Sequence, residues 1–409
     1  MLIEFSFSNY RSFRGKNTLS LESLKKKKGL LPLVAIYGKN GGGKSNLIRA
    51  FWLAVKFICN AQMTQGAGVL VPVDPFKLND YSTETPTSFE FIYKYKGIKY
   101  IYGFSATKEK ICEEYLYHYP KGFRAQVFKR TGQEFSFIQD KAFKQLISKA
   151  VAENQLYFSV ANTMNAMKFF TESIVFSREF EDLPGQIRLN YHNNNVLKSM
   201  KQYAQRADVG ITDMKFEMKN TKIDVDDTIP EDAPPELSRA LKSFVSALSD
   251  NSQVKIQRNE IKARTYHTGI SKNGEISQYE LGLEDESDGT LRLMALAAAI
   301  DRTIDNGGIF VADELEKGLH PLLTEYIVNK FQNSEINKNH AQLIFTTHDT
   351  EIMRQHFLDA DQFYFVDKDR QTGESELYSV DGLGKKNNAD IRTGYLIGKF
   401  GGVPELGDE

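Results

Sequence analysis

The sequence predicts an α/β nucleotide-binding fold, and three observations carry that prediction. A glycine-rich loop, Gly38-Lys39-Asn40-Gly41-Gly42-Gly43-Lys44-Ser45, lies between the apolar run LVAIY and the helical run SNLIRAFWLAV. A second apolar strand, Ile309 to Ala312, ends at the acidic pair Asp313-Glu314. Between them, from Phe89 to about Phe137, apolar and polar residues alternate and turn at Lys96-Gly97, which adds an antiparallel lobe.

The first stretch, MLIEFSFSNYRSFRGK, alternates as a strand does and lacks the basic-then-apolar layout of a signal peptide. LKKKKGL follows as a solvated turn, with a nucleic-acid or effector contact as the functional alternative. After the antiparallel region, DKAFKQLISKAVAEN and NNNVLKSMKQYAQRAD read as helices, and the proline-rich acidic KIDVDDTIPEDAPPEL reads as a surface loop. Strands resume after Gln253, then helix and strand alternate. The expected organisation is therefore an ATPase lobe at 1–137, a mainly helical insertion at 138–252 and a second ATPase lobe at 253–409.

Composition narrows the functional classes. With 41% hydrophobic and 26% charged residues among 409, the chain is that of a globular protein. Its 52 basic and 53 acidic residues leave a net charge of −1, so any contact with nucleic acid must come from a local patch. Cys59 and Cys112 lack metal-ligand spacing and fit a reducing cytoplasm. The longest clean apolar stretch, around Leu293 to Ile300, is too short to span a membrane, and no heptad pattern supports a long coiled coil.

The glycine loop satisfies G-x-x-x-x-G-K-[ST] in the strand-to-helix context that gives the motif its meaning. Its backbone N–H groups can converge on phosphate oxygens, Lys44 can reach the β- and γ-phosphates, and Ser45 can hold Mg²⁺. Lys44 is expected in a solvated loop, and Lys39, Asn40 and Asn46 are expected among the residues that bind the nucleotide. Asp313, at the carboxyl end of its strand, suits the magnesium shell, and Glu314 beside it suits a general base for the attacking water. No Asn-Lys-x-Asp element for guanine accompanies them, so ATP is the expected nucleotide. ESDGTLRLMALAAAI precedes the Asp313 strand, and Ser287, Asp288 and Gly289 there open a helix that can face an anion. QLIFTTHDTEIM follows it and ends a strand at His348, placed for the γ-phosphate. This order is what an ATP-binding-cassette ATPase requires, with ATP held between two heads of a homodimer.

The series FSNYRSF, GKNGGGKS, ESDGTLRL, VADELEKGLHP, TTHD and YLIGKFGGVPEL resembles the bacterial ABC-type ATPases of the abortive-infection and restriction-linked group. These are relatives of the overcoming-lysogenization-defect nucleases and, more distantly, of SMC and RecF heads. The resemblance implies a cassette head with an antiparallel lobe and a helical insertion, and an ATP-dependent dimer. It also implies that Arg11 approaches the nucleotide. Where transporters have Leu-Ser-Gly-Gly-Gln, this chain has Glu-Ser-Asp-Gly-Thr, and the Asp288 carboxylate would repel phosphate unless it turns away to cap the helix. FYFVDKDR offers Asp367 and Asp369 at a strand end, but no partner glutamate strand accompanies them, so a strand and polar turn are expected rather than a nuclease centre. QTGESELYSVDGLG then reads as a hairpin. The expected function is an ATP-hydrolysing head that controls a separate effector, a toxin or nuclease, in antiphage defence, with the helical insertion from about 138 to 210 and the LGKKNNADIRTGYLIGKFGGVPEL tail as docking surfaces. The alternative is a RecF- or SMC-like clamp that binds DNA as an ATP-gated dimer. A transporter subunit fits poorly.

Overall fold

The computed structural model describes residues 1–23, 29–60, 68–161, 165–207, 210–222, 257–380 and 388–403, with positions 236, 239 and 243. The lysine run at 25–28 and nearly all of KIDVDDTIPEDAPPEL lie outside them. The chain divides into two compact units, 1–181 with 299–409, and 182–298.

The larger unit is built on a six-stranded sheet of order β16-β15-β3-β14-β13-β9. Its strands are β3 (Leu33–Tyr37), β9 (Ile174–Phe176), β13 (Ile309–Ala312), β14 (Gln342–Thr346), β15 (Phe363–Lys368) and β16 (Ser375–Ser379). Every pairing is parallel except β15 with β16. LVAIY, IFVA and QLIFT are buried at every position, as strands covered on both faces must be. The stretch 371–384, expected as a hairpin of its own, contributes one described strand, β16, which pairs antiparallel with β15; residues 381–384 lie outside the described residues.

A seven-stranded antiparallel sheet of order β2-β1-β4-β5-β6-β7-β8 forms the other layer. It comprises β1 (Leu2–Ser8), β2 (Asn17–Ser20), β4 (Thr87–Tyr95), β5 (Ile98–Ala106), β6 (Ile111–Tyr119), β7 (Ala125–Thr131) and β8 (Glu134–Phe137). Alternate residues of β4 (Thr87, Phe89, Phe91, Tyr93) are buried, as a strand with one core face requires. Helix α1 (Lys44–Cys59) inserts Leu47, Ile48, Phe51, Ala54, Val55 and Ile58 into the same core. Phe51 there sits edge-on to Phe5 at 4.8 Å between ring centroids.

Helices α2 (Lys141–Ser148), α3 (Tyr157–Ala161) and α4 (Lys168–Ser173) belong to this unit too. Phe158 lies 4.3 Å from Tyr102, and Phe169 stacks on Tyr93 at 4.2 Å. The helical segment starting at 138 is thus partly a lid on the antiparallel sheet, and the second unit begins only at Asp182. That unit carries α5 (Leu183–Asn190), α6 (Asn194–Ala207) and a three-stranded antiparallel sheet of β10 (Ile211–Lys222), β11 (Gln257–Ile270) and β12 (Ile276–Gly282). Leu183, Ile187, Met200, Ile211, Met214 and Ala263 share its core with Met294 and Ala295 of α7 (Asp288–Asn306). The unit is therefore as much sheet as helix. The larger unit also carries α8 (Pro321–Gln332) and α9 (Asn388–Leu396). No described helix is long and apolar enough to cross a membrane.

Candidate nucleotide site

Strands β3, β13 and β14 are parallel neighbours, so their carboxyl ends deliver the glycine loop, Asp313-Glu314 and His348 to one edge of one sheet. The loop's last glycine, Gly43, has φ 124°, and a Cβ there would meet the Ser375 hydroxyl at 2.7 Å and the Ser12 hydroxyl at 3.1 Å. No larger residue fits without displacing that support. Ser375 in turn donates from Oγ to the Gly42 carbonyl at 2.6 Å, and its amide donates to the Ser12 carbonyl at 2.7 Å.

Lys44 is 6% exposed, which corrects the expectation of a solvated lysine. Its ammonium donates to the Gly38 carbonyl at 2.6 Å and the Lys39 carbonyl at 3.3 Å, because a buried cation must find acceptors. Burial lowers its pKa, and Glu314, Asp313 and Glu316 counteract this only in part. Three carboxylates and one lysine therefore share the site's field.

Asp313 accepts a hydrogen bond at 2.7 Å from the hydroxyl of Thr346, which itself accepts the Glu314 amide at 2.8 Å. Glu314 has φ 49°, a left-handed conformation that costs a residue with a Cβ and is held here by its neighbours. Glu316 accepts the His348 amide at 2.6 Å through one oxygen, while its other oxygen is buried without a hydrogen-bond partner among the described residues. The His348 residue is exposed, yet partial burial of the ring and then the Lys44 charge hold its pKa below 6.5 against the pull of Glu316, Glu314 and Asp313. The imidazole is neutral at pH 7.

Gly38, Lys39, Asn40, Gly41, Gly42, Gly43, Lys44, Ser45, Asn46, Asp313, Glu314 and His348 all lie in the larger unit. Lys39 is turned to β15, where it pairs with Asp367 at 2.9 Å. Asn46 donates to the Ser12 hydroxyl at 2.9 Å. Arg11 pairs with Asp74 at 3.2 Å, and its amide donates to the Asp74 carbonyl at 2.7 Å. The nuclease alternative finds its carboxylates engaged elsewhere: Asp369 accepts the Gln371 amide at 3.0 Å and the Thr372 amide at 2.6 Å, closing its own turn. Among the described residues no cluster of three or more His, Cys, Asp or Glu is arranged to hold a metal ion.

Ser287 and Gly289 belong to the second unit. Ser287 caps α7: its hydroxyl accepts the Thr290 amide at 3.1 Å and lies 2.8 Å from the Thr290 hydroxyl. Asp288 is the first residue of that helix, so the cap is the serine and not the aspartate. Glu286 just before it is bonded to His267 at 2.8 Å and to the Thr265 hydroxyl.

Sequence reasoning missed Ser12, Thr346, Glu316 and Ser375. Of these Ser12, Thr346 and Glu316 carried a usable signal, since each lies within two residues of a motif residue.

The residues suit magnesium-bound triphosphate. The glycines of the loop, the buried Lys44 and the hard oxygens of Ser45 and Asp313 are residue types that would fit phosphate and Mg²⁺.

Residues 33–354 match the family model described as "AAA domain, putative AbiEii toxin, Type IV TA system". A curated relative, the "Retron Vc95 probable ATPase" of Vibrio cholerae serotype O1 biovar El Tor, is 32% identical over 123 residues. That match takes in 27% of this chain and 23% of the relative, so the chain spans about a quarter of it. Among solved structures, the recombination mediator protein RecF with ATP aligns over 92% of this chain and 97% of its own, at 14% identity and TM-score 0.39. The cbiO1 subunit of a Clostridium perfringens ABC transporter complex aligns over 98% of each chain at 11% identity and TM-score 0.30.

Proposed function

The chain belongs to this AAA-domain family of P-loop ATPases, and from that premise we propose that it binds and hydrolyses ATP between two copies of itself to control a separate effector in bacterial antiphage defence. The observation that carries the reading is the convergence of Lys44, Asp313, Glu314 and His348 at the carboxyl ends of adjacent parallel strands. The names of the family and of the retron relative support the defence setting.

Arriving phosphate offers Lys44 a stronger partner than the two loop carbonyls it holds, and the glycine loop presents amides to the remaining oxygens. Ser45 and Asp313 would hold Mg²⁺, which would supply positive charge against that of the phosphate oxygens. Glu314, its backbone fixed by Thr346, takes the proton of the attacking water as general base. Neutral His348 donates a hydrogen bond to the γ-phosphate. The amino end of α7 in a second copy, capped by Ser287, supplies further donors to the same phosphate, so turnover requires two heads. Arg11 reaches the nucleotide on leaving Asp74. The effector is a separate protein that responds to the dimer.

The test is ATP hydrolysis by the purified protein beside Lys44→Ala. Loss of nucleotide binding and turnover in the variant is expected, and full activity in it would overturn the site.

A further inference from the structure

We propose that Asp367 is a positioning residue of the nucleotide site, acting through Lys39 and through the C-terminal glycine turn. The proposal rests on the reading of Gly38–Ser45 as the ATP loop.

Asp367 lies on β15, next to β3 in the central sheet, and its carboxylate reaches two segments far apart in the chain. One is the phosphate loop: Lys39 Nζ is 2.9 Å from Asp367 Oδ1 and donates to the Lys368 carbonyl at 3.2 Å. The other is the tail: Gly401 packs so closely that a Cβ on it would lie 2.6 Å from Asp367 Oδ2, and the neighbouring Gly402 amide favours the ionised carboxylate. Burial alone would raise the Asp367 pKa, but these donors outweigh it and hold the carboxyl below its ordinary value, so it is ionised near neutral pH.

The tail is seated against the loop itself. Gly402 has φ 67°, and a Cβ there would lie 3.2 Å from the Gly38 α-carbon and 3.4 Å from the Val366 carbonyl. Gly38 leaves as little room, since its own Cβ would lie 2.3 Å from the Val366 oxygen. Backbone thus meets backbone at the first glycine of the loop. Aromatic packing keeps it there: Tyr395 and Phe400 each stack on Phe365 at 5.3 Å, and Tyr395 donates to the Gly402 carbonyl at 3.3 Å. The YLIGKFGG stretch is therefore largely part of the site's foundation. Within it Leu396 and Ile397 remain exposed.

The mechanical consequence follows from the Lys44 contacts. Its ammonium is held by the carbonyls of Gly38 and Lys39, the two residues that Gly402 and Asp367 respectively hold in place. Releasing Asp367 frees both peptides, and the phosphate lysine then starts from a disordered loop. Binding must supply the ordering that the fold now provides, which weakens ATP binding more than it slows the chemical step.

The experiment compares wild type, Asp367→Asn, Lys39→Met, their double variant, Asp367→Glu and Gly402→Ala. ATP KM and kcat, the affinity for a fluorescent ATP analogue, and thermal midpoints are measured for each. Asp367→Asn and Gly402→Ala should raise KM and the dissociation constant about tenfold, with kcat at saturation changed by less than about twofold. The double variant should be no worse than the worse single one, because both act through one ion pair, and Asp367→Glu should recover part of the loss. Wild-type nucleotide affinity in Asp367→Asn, or additive losses in the double variant, would overturn the proposal. Lys44→Ala separates the two levels: if it loses ATP while Asp367→Asn does not, only the positioning role fails. If it keeps ATP, the loop assignment fails and this role with it.

Discussion

The Glu314 amide donates to the Thr346 hydroxyl at 2.8 Å, and that hydroxyl in turn donates a hydrogen bond to Asp313 at 2.7 Å. One threonine thus holds the backbone of the expected base and orients the expected magnesium ligand. Glu314 sits at φ 49°, a conformation that such a bond helps to maintain.

Thr346→Val keeps the shape of this fully buried side chain and removes both bonds. The Glu314 amide is left without its partner, at a cost of about 1–3 kcal/mol. A lowered thermal midpoint and a kcat that falls more than KM rises are expected. Unchanged kcat would mean that Thr346 does not set the carboxylates.

His348 titrates below 6.5, so in the pH interval between its folded value and 6.5 the unfolded chain binds the proton and the folded chain does not. Its contribution to stability is complete above pH 6.5 and declines as pH falls through that interval. Lys44 is one cause of the depression, so Lys44→Met should move the midpoint upward. Imidazole resonances followed by NMR from pH 4 to 8 read both; a wild-type midpoint at or above 6.5 would refute the depression, and one above 7 the neutral imidazole as well.

Ser287→Ala deletes the cap of α7 and should cost about 1 kcal/mol of stability while leaving the larger unit's site intact. Ser287→Arg should instead block the γ-phosphate of the facing copy. Mixed with Lys44→Ala, it should restore at most one working site per heterodimer, measured as ATPase activity against mixing ratio. Full restoration would exclude a composite site.

Asp367 and Asp369 are committed to Lys39, to Gly402 and to their own turn. The purified protein should therefore hydrolyse ATP yet cut neither DNA nor RNA with Mg²⁺ or Mn²⁺. Metal-dependent cleavage by the wild type, lost in Asp367→Ala/Asp369→Ala, would make this an ATPase and nuclease in one chain.

The glycine loop was legible because anion-binding backbone imposes its residues locally, and Asp313, Glu314 and His348 were legible because each ends an apolar strand. Thr346 and Glu316 were not singled out, since proximity to a motif does not show which partner a threonine or glutamate will bond. Lys39 and Asp367 meet across most of the chain, and no periodicity announces such a pair. The segment 138–181 was read from its helical period alone. What joins it to the antiparallel sheet is a set of aromatic contacts made by Tyr157, Phe158, Phe169 and Phe170, and period does not reveal which surface an aromatic covers. The long strands β10 and β11 are separated by residues 223–256, so neither shows its partner nearby.

The central claim is that ATP joins two copies of this chain and that Glu314 ends the union. The most direct measurement is the molar mass of Glu314→Gln by light scattering on a sizing column, with MgATP and with MgADP. The variant keeps its phosphate and magnesium ligands but loses its base, so turnover should fall by about 10²–10⁴-fold. A stable dimer with MgATP and a monomer with MgADP is the predicted result. A mass that is the same with both nucleotides, in a variant shown to bind ATP, would contradict the account.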